Sequence, residues 1–380
     1  MNKKEVSEIK RLFNKNKCHV RKLCGCYVDA EKNIKTEGKH AFLSLDEEEM
    51  FKYINIFRSC LSGSLGRNLI NLEFPIEQEE TGGTQEFLLR LRDSRLEDDE
   101  LIEQFYNKVI EYYEYAENYY IILAHAAYDI PGITSDGLEM DDASIYVYEH
   151  LICPVKLEKS NLCYNAESNT IETTIRDWLV DVPAHGFLFP AFNDRNTDIH
   201  SMLYYTRKSE NPNTSFMDNM FACRRPLTSK EQNGAFQTII EQSLGDDCSF
   251  ETVKSIHENI NEMIEEQKDL PEPVILDKND VKGLLVKSGI KEENLNDFDE
   301  HYERIFHDEY TETASETNLT AANITNPRNL EVKTTDVVIK VKPERSDLIE
   351  TRIIDGIPYI LIQVNEHVEL NGVIVKPDEG

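Results

Sequence analysis

The chain is poor in basic residues, in tryptophan and in long apolar runs. Its 41 Lys and Arg face 71 Asp and Glu, a formal net charge of −30. Contact with nucleic-acid phosphates or an anionic membrane needs clustered cations, so direct nucleic-acid binding is not expected. No run approaches the roughly 18–20 apolar residues of a membrane span. The opening MNKKEVSEIKRLFNKNK has charges but no apolar h-region, so no signal peptide is expected and the cytoplasm is the expected location. The N-x-S/T matches at Asn213, Asn318 and Asn323 then carry no glycosylation meaning. Eight Cys in 380 residues read as reduced thiols rather than a disulfide framework. G-x-S-x-G, H-E-x-x-H and the dinucleotide fingerprint are all missing, so no motif names a catalytic mechanism or a cofactor.

What is there suits a folded protein: 40% apolar residues, with 17 Tyr and 16 Phe to build cores. The spacing predicts a basic helix over 1–17 with Val6, Ile9, Leu12 and Phe13 on one side. Strands follow at Cys18 to Asp29 and His40 to Leu45. Ser44 and Glu47 have capping-box spacing ahead of a helix carrying Met50, Phe51, Ile54, Phe57 and Leu61. Further strands are predicted near 68–74, 119–128, 145–157 and 170–180, and helices near 85–92 and 98–118. A hairpin, 186–192 with 198–206, comes next. Strands and helices intermix without a βαβ repeat, so the expected class is α+β: an N-terminal mixed sheet-and-helix domain over 1–207. A loop and helical segment is expected over 208–307, the stretch 208–233 being polar and turn-rich. Thr, Asn and Glu dominate 308–329, the composition of a flexible linker. From 330 to 380, short strands separated by Asp355-Gly356 and Asn371-Gly372 predict a small antiparallel β-meander, because these dipeptides favour tight hairpin turns.

The densest meeting of apolar scaffold and capable side chains is Gly186 to Arg207. Asp194, Asp198 and His200 could supply an acid/base pair or a hard-metal site, with Arg195 clamping an anion. His125 and Asp129 would join them if the strands are neighbours. Against this, Asn-Asp-Arg-Asn is ordinary turn chemistry. Cys18, Cys24 and Cys26 are the candidate metal thiolates, but C-x5-C-x-C lacks a clear fourth ligand, and same-side strand cysteines also pack as small hydrophobes. Asp136 to Asp142 clusters carboxylates without the EF-hand ligand order. Ser62 to Arg67 lacks G-K-[ST], and Gly63 reads better as a helix stop. Gly82-Gly83-Thr84-Gln85 is similar to the Gly-Gly-Gln loop of peptide-release factors, interrupted by Thr84.

Several segments together resemble a family of bacterial proteins grouped as a domain of unknown function, typical of Gram-positive anaerobes. They are CGCYVD (24–29), LINLEFP (69–75), GGTQEFLLRLRDS (82–94), HAAYDIPG (125–132), SDGLEM (135–140), GFLFPAFNDRNTDIHSMLYYT (186–206) and ERSDLIETRIIDGIPYILI (344–362). The resemblance covers nearly the whole chain. It implies a cytosolic protein of about this length and brings no activity, cofactor or site residue. Three function classes follow from the residues. The favoured one is a non-enzymatic binding or regulatory protein with a protein partner. A metal- or acid/base-dependent hydrolase and a ribosome-associated, release-factor-like protein are the alternatives.

Overall fold

The structure, a computed structural model, describes residues 1–14, 19–133, 139–157, 162–165, 168–173, 178–245, 248–267, 273–310, 317–326, 328–364 and 368–375. It divides into two compact units, Met1–Lys230 with Tyr310–Glu316, and Glu231–Glu309 with Thr317–Gly380. The protein is α+β, as its intermixed pattern predicts.

The first unit runs α1 (Lys3–Leu12), β1 (Val20–Val28), β2 (Ile34–Ala41), α2 (Glu47–Cys60), β3 (Leu69–Glu73), α3 (Ile76–Glu79), α4 (Thr84–Asp93) and α5 (Asp99–Tyr112). It continues with β4 (Tyr119–Ile133), β5 (Glu139–Leu157), β6 (Leu162–Asn165), β7 (Thr170–Thr173), β8 (Trp178–Val180), β9 (His185–Phe189), β10 (Ala191–Asn193), β11 (Asn196–Asp198), β12 (Ser201–Thr206) and α6 (Thr214–Phe221). An eight-stranded sheet in the order β2-β1-β4-β5-β9-β12-β3, with β8 on β5, is its spine. The pairs within it are antiparallel.

Side chains alternate across this sheet into two cores. Cys24, Cys26, Tyr119, Ile121, Leu123, Phe187, Phe189, Met202 and Tyr204 pack toward α4, α5 and α6. Leu23, Ile122, Ala124, Leu188, Leu203 and Tyr205 pack toward α1 and α2. Helices cover both faces, so β9 and β12 are buried at every position and read as unbroken apolar runs.

Some local expectations shift. The second strand is Ile34–Ala41, not His40 to Leu45. Phe42 is fully buried and turns Phe42–Ser44 into a short 3-10 helix. The Ser44 hydroxyl then donates to the Ala41 carbonyl at 2.7 Å and caps nothing, so α2 opens at Glu47 behind Asp46. The polar stretch 208–233 holds α6, which buries Phe216, Met217, Met220 and Phe221.

The second unit contains α7 (Ser229–Leu244), α8 (Phe250–Glu266), β13 (Ile275–Leu276), α9 (Lys278–Lys287), α10 (Phe298–Tyr310), β14 (Leu319–Thr320) and α11 (Ala321–Ile324). Asp277 and Asp280 form a reciprocal capping box on α9. Within 308–329, residues 319–325 pack against the second unit's own elements. β14 pairs with β13, and Leu319, Ala321 and Ile324 are buried. Gln232 Oε1 also accepts the Thr320 N–H at 2.8 Å and the Asn323 amide at 3.1 Å.

The tail forms three two-stranded antiparallel hairpins: β15 (Leu330–Lys333) with β16 (Val338–Val341), β17 (Ile349–Ile354) with β18 (Ile357–Ile362), and β19 (Val368–Leu370) with β20 (Val373–Val375). Asp355-Gly356 and Asn371-Gly372 take positive φ at both turn positions, 51° and 79°, 50° and 86°. That is the twist two-residue hairpin turns require.

Candidate functional site

The polar loop of the sequence is a second, smaller hairpin, β10 with β11, set beyond β9 and β12. Its turn residues Asp194 and Arg195 both have positive φ, 50° and 55°. Helix α1 grips this turn. Glu5 closes its own helix cap by accepting the Asn2 N–H at 2.6 Å, and accepts the Asp194 N–H at 2.7 Å. Arg195 reaches both oxygens of Glu8, at 3.3 and 3.2 Å. The Tyr128 hydroxyl donates to the same carboxylate at 2.9 Å. Burial, then the Glu8 carboxylate, push that hydroxyl up to about 12. Asp194 therefore contributes its main chain here, and Arg195 clamps a protein carboxylate.

Asp198 accepts from the Asn193 amide at 2.6 Å, the His200 N–H at 3.0 Å and the Ser201 hydroxyl. Burial raises its pKa, but these three bonds outweigh burial and hold the carboxyl below its ordinary value. It is an ionised strut across the base of the small hairpin. His200 turns its exposed ring to Glu79 of α3, Nδ1 to Oε1 2.7 Å, and that bond lifts the imidazole above its ordinary value.

His125 lies elsewhere. It sits in β4 opposite Lys22 and Tyr148, fully buried. By alternation it shares the α4–α6 side with Leu123, whereas Phe192 at the base of the small hairpin packs toward α1 and α2. Burial pushes its imidazole down to about 4, helped by Arg21, Arg95 and Arg92. The structure thus brings Asp198 and His200 together through one main-chain bond and puts His125 on the other face of the sheet. The side chain of Asp129 lies outside the described residues.

Cys24 and Cys26 are buried in the core facing α4–α6, and burial pushes their thiols up to about 11 and about 12. Protonated thiols of this kind pack as small hydrophobes. Cys18 lies outside the described residues. Among the described residues no group of three or more His, Cys, Asp or Glu is arranged to hold a metal ion. Gln85, the residue a water-positioning loop would need exposed, is buried and donates to the Ile199 carbonyl at 3.1 Å. The glycines before it have local reasons. Gly82 has φ +93°, and a Cβ on Gly83 would overlap the Gln78 carbonyl. Of the Asp136 to Asp142 cluster, residues 134–138 lie outside the described residues, and 139–142 enter β5.

One concavity among the described residues lies where no motif marks it. A groove of about 510 Å³ runs between one flank of α2 and the segment 179–182, whose Leu179 and Val180 belong to β8 and pair with β5. Helix α2 seats Ile54, Phe57 and Cys60 on the sheet, so Glu49, Lys52, Tyr53, Ile56 and Ser59 fall one step round the helix and form one wall. Tyr120 of β4 is among the lining residues, and Leu179, Val180, Asp181 and Val182 form the other wall. Lys52 is paired with Glu48 at 2.8 Å, and Asp181 with Arg207 at 3.6 Å.

Gly25 of the CGC triplet makes room for this groove. A Cβ there would fall inside the Tyr120 ring. Gly25→Ala is expected to cost about 1–3 kcal/mol by overpacking, and to shift Tyr120 in the groove. Urea denaturation and Tyr120 ring resonances check this. An unchanged midpoint with unmoved resonances would show that the ring needs no such space.

The family described as DUF4317, a domain of unknown function, matches residues 1–373, and the chain belongs to it. No curated protein matches the chain. Among the described residues no helix is long and apolar enough to cross a membrane.

Proposed function

We propose that this member of the DUF4317 family is a non-enzymatic binding protein, which takes a basic, apolar segment of a partner protein into the groove between α2 and 179–182. The observation that carries the proposal is the groove's lining. Tyr53, Ile56, Tyr120, Leu179, Val180 and Val182 offer apolar contact, and Glu49 and Asp181 against Lys52 leave the lining with net negative charge. A mostly apolar concavity of several hundred Å³ with a few polar groups is the usual form of a binding site. Leu179, Val180 and Val182 are exposed there. The net charge of −30 favours approach by a cationic partner.

A hydrolase built on 125–129 and 193–200 finds less support. Arg195 and Asp198 are engaged in holding the small hairpin, and His125 is buried and neutral. Ribosome association through Gly82 to Gln85 finds less still, since Gln85 serves the main chain of Ile199. The bacterial cytoplasm suits the proposal, because Cys24, Cys26, Cys223 and Cys248, among the described residues, are free thiols.

The test is a photo-crosslinking amino acid at Ile56, compared with the same group at exposed Leu43. Crosslinks at position 56 should map to a partner segment with Lys or Arg beside large apolar residues. Glu49→Lys should reduce their yield several-fold, as should raised salt. Equal crosslinking at both positions, or no effect of Glu49→Lys, rejects the proposal.

A further inference from the structure

The hairpin β17–β18 has two unlike edges. Its two-residue turn makes Ile354 and Ile357 a hydrogen-bonded pair, and alternation extends this to Arg352 with Tyr359 and Glu350 with Leu361. The Gln363 N–H on the Leu348 carbonyl, 2.8 Å, continues the same parity. The main-chain groups of Thr351 and Ile353 therefore point outward from β17, and those of Pro358 and Ile360 outward from β18. Pro358 has no N–H to offer, which closes the β18 edge to a further strand. The β17 edge pairs with nothing else among the described residues. It also carries no proline, and Ile353 beside it is 78% exposed.

An open edge accepts another strand, and the charges on β17 say which. Glu350 and Arg352 lie on one face, joined within the strand at 2.9 Å. Consider two copies of β17 running antiparallel about a two-fold axis. Outward-facing residues must pair with outward-facing residues, so the axis can pass only through 349, 350, 351, 352 or 353. An axis at 350 sets Glu350 against Glu350, and one at 352 sets Arg352 against Arg352. An axis at 351 sets Glu350 against Arg352 twice, at the closely spaced non-hydrogen-bonded positions where cross-strand charges interact most. Thr351 then exchanges main-chain bonds with its own copy. The Ile353 N–H meets the Ile349 carbonyl of the other copy, although the Ile349 N–H is already held by Ser346. Isologous contacts require this kind of self-complementarity.

We propose that the β17 edge is a self-association site, which joins two copies of this chain into a four-stranded antiparallel sheet centred on Thr351. One short edge buries less than the roughly 1,200 Å² of a standard interface, so the dimer forms at about 10–100 µM.

Sedimentation equilibrium of the full chain tests it. Wild type should dimerise in that range. A copy with Glu350→Arg carries two cations on the edge, and a copy with Arg352→Glu two carboxylates. Each alone should associate about tenfold or more weakly, while an equimolar mixture should recover a heterodimer. Thr351→Cys gives an independent readout, because a hydrogen-bonded pair about 5.5 Å apart at Cα suits a disulfide. With Cys248→Ser in both chains, because Cys248 is an exposed native thiol, mild oxidation should link the Thr351→Cys chain into dimers and leave the chain without it monomeric on a non-reducing gel. A wild type that stays monomeric to about 200 µM overturns the proposal. So do single variants that dimerise like wild type, and a Thr351→Cys chain that does not link.

Discussion

Acidification from pH 7 to pH 4 is expected to destabilise the first unit steeply, through two buried histidines. His125 is held down to about 4 by burial and by Arg21, Arg95 and Arg92, and His185 is held down to about 4 by burial and Lys208, from an ordinary value of 6.5. Both are buried, His125 in β4 and His185 beside the Tyr204 hydroxyl at 2.8 Å. The folded state therefore resists protons that the unfolded chain accepts. Their neutrality costs nothing above 6.5. Below it the unfolded state gains protons first, and stability drains away until the folded pKa is reached near 4. The displacement is worth roughly 3 kcal/mol for each histidine. Urea melts at pH 7 and pH 4 on wild type and His125→Phe measure one of the two. The variant should lose roughly 3 kcal/mol less than wild type over that interval. Parallel losses would mean His125 is protonated as readily in the fold as out of it.

Phe221→Ala is expected to cost about 3–5 kcal/mol, the range for emptying a buried aromatic site. The ring is fully buried at the end of α6. Its centroid lies 5.0 Å from Phe187, 5.8 Å from Phe216 and 6.2 Å from Tyr204, at steep interplanar angles. Aromatic pairs of this geometry add to the area they bury. Phe51→Ala on α2, where the ring is half exposed, should change the midpoint little. A Phe221→Ala loss no larger than that of Phe51→Ala would mean that α6 is not part of the core.

Why α6 escaped the composition is instructive. Its flanks are Ser, Asn, Pro and Lys, and the helix is only eight residues long, so the polar surroundings dominate any window laid over it. The signal was present at finer grain: Asn213 as a cap, then Phe216, Met217, Met220 and Phe221 at spacings of one, three and one. The second strand escaped for the opposite reason. Ile34–Ala41 is exposed along almost its whole length, so no alternation betrays it, and its hydrogen bonds to β1 come from tertiary pairing alone. The long amphipathic helix α5 was legible from its own period, the apolar strands β4, β9 and β12 as short apolar runs, and the Asp-Gly and Asn-Gly turns from their residue types. The groove was not legible. Tyr53 and Ile56, Tyr120, and Leu179 to Val182 come from three distant stretches, and each looks like ordinary core or surface in its own neighbourhood. Asp194, Arg195, Asp198 and His200 were conspicuous because turns collect polar residues, and the same side chains hold that turn against α1 and α3.

Pro358 has a consequence for stoichiometry. A hairpin open on both sides can recruit copies without end, and growth of that sort produces fibres. With one side closed by an imide nitrogen, this hairpin has a single edge to be joined in each copy, and a two-fold pair uses both such edges at once. Assembly through this hairpin would therefore terminate at two, whatever the concentration, so that an apolar hairpin which would otherwise be a liability is capped by its own sequence.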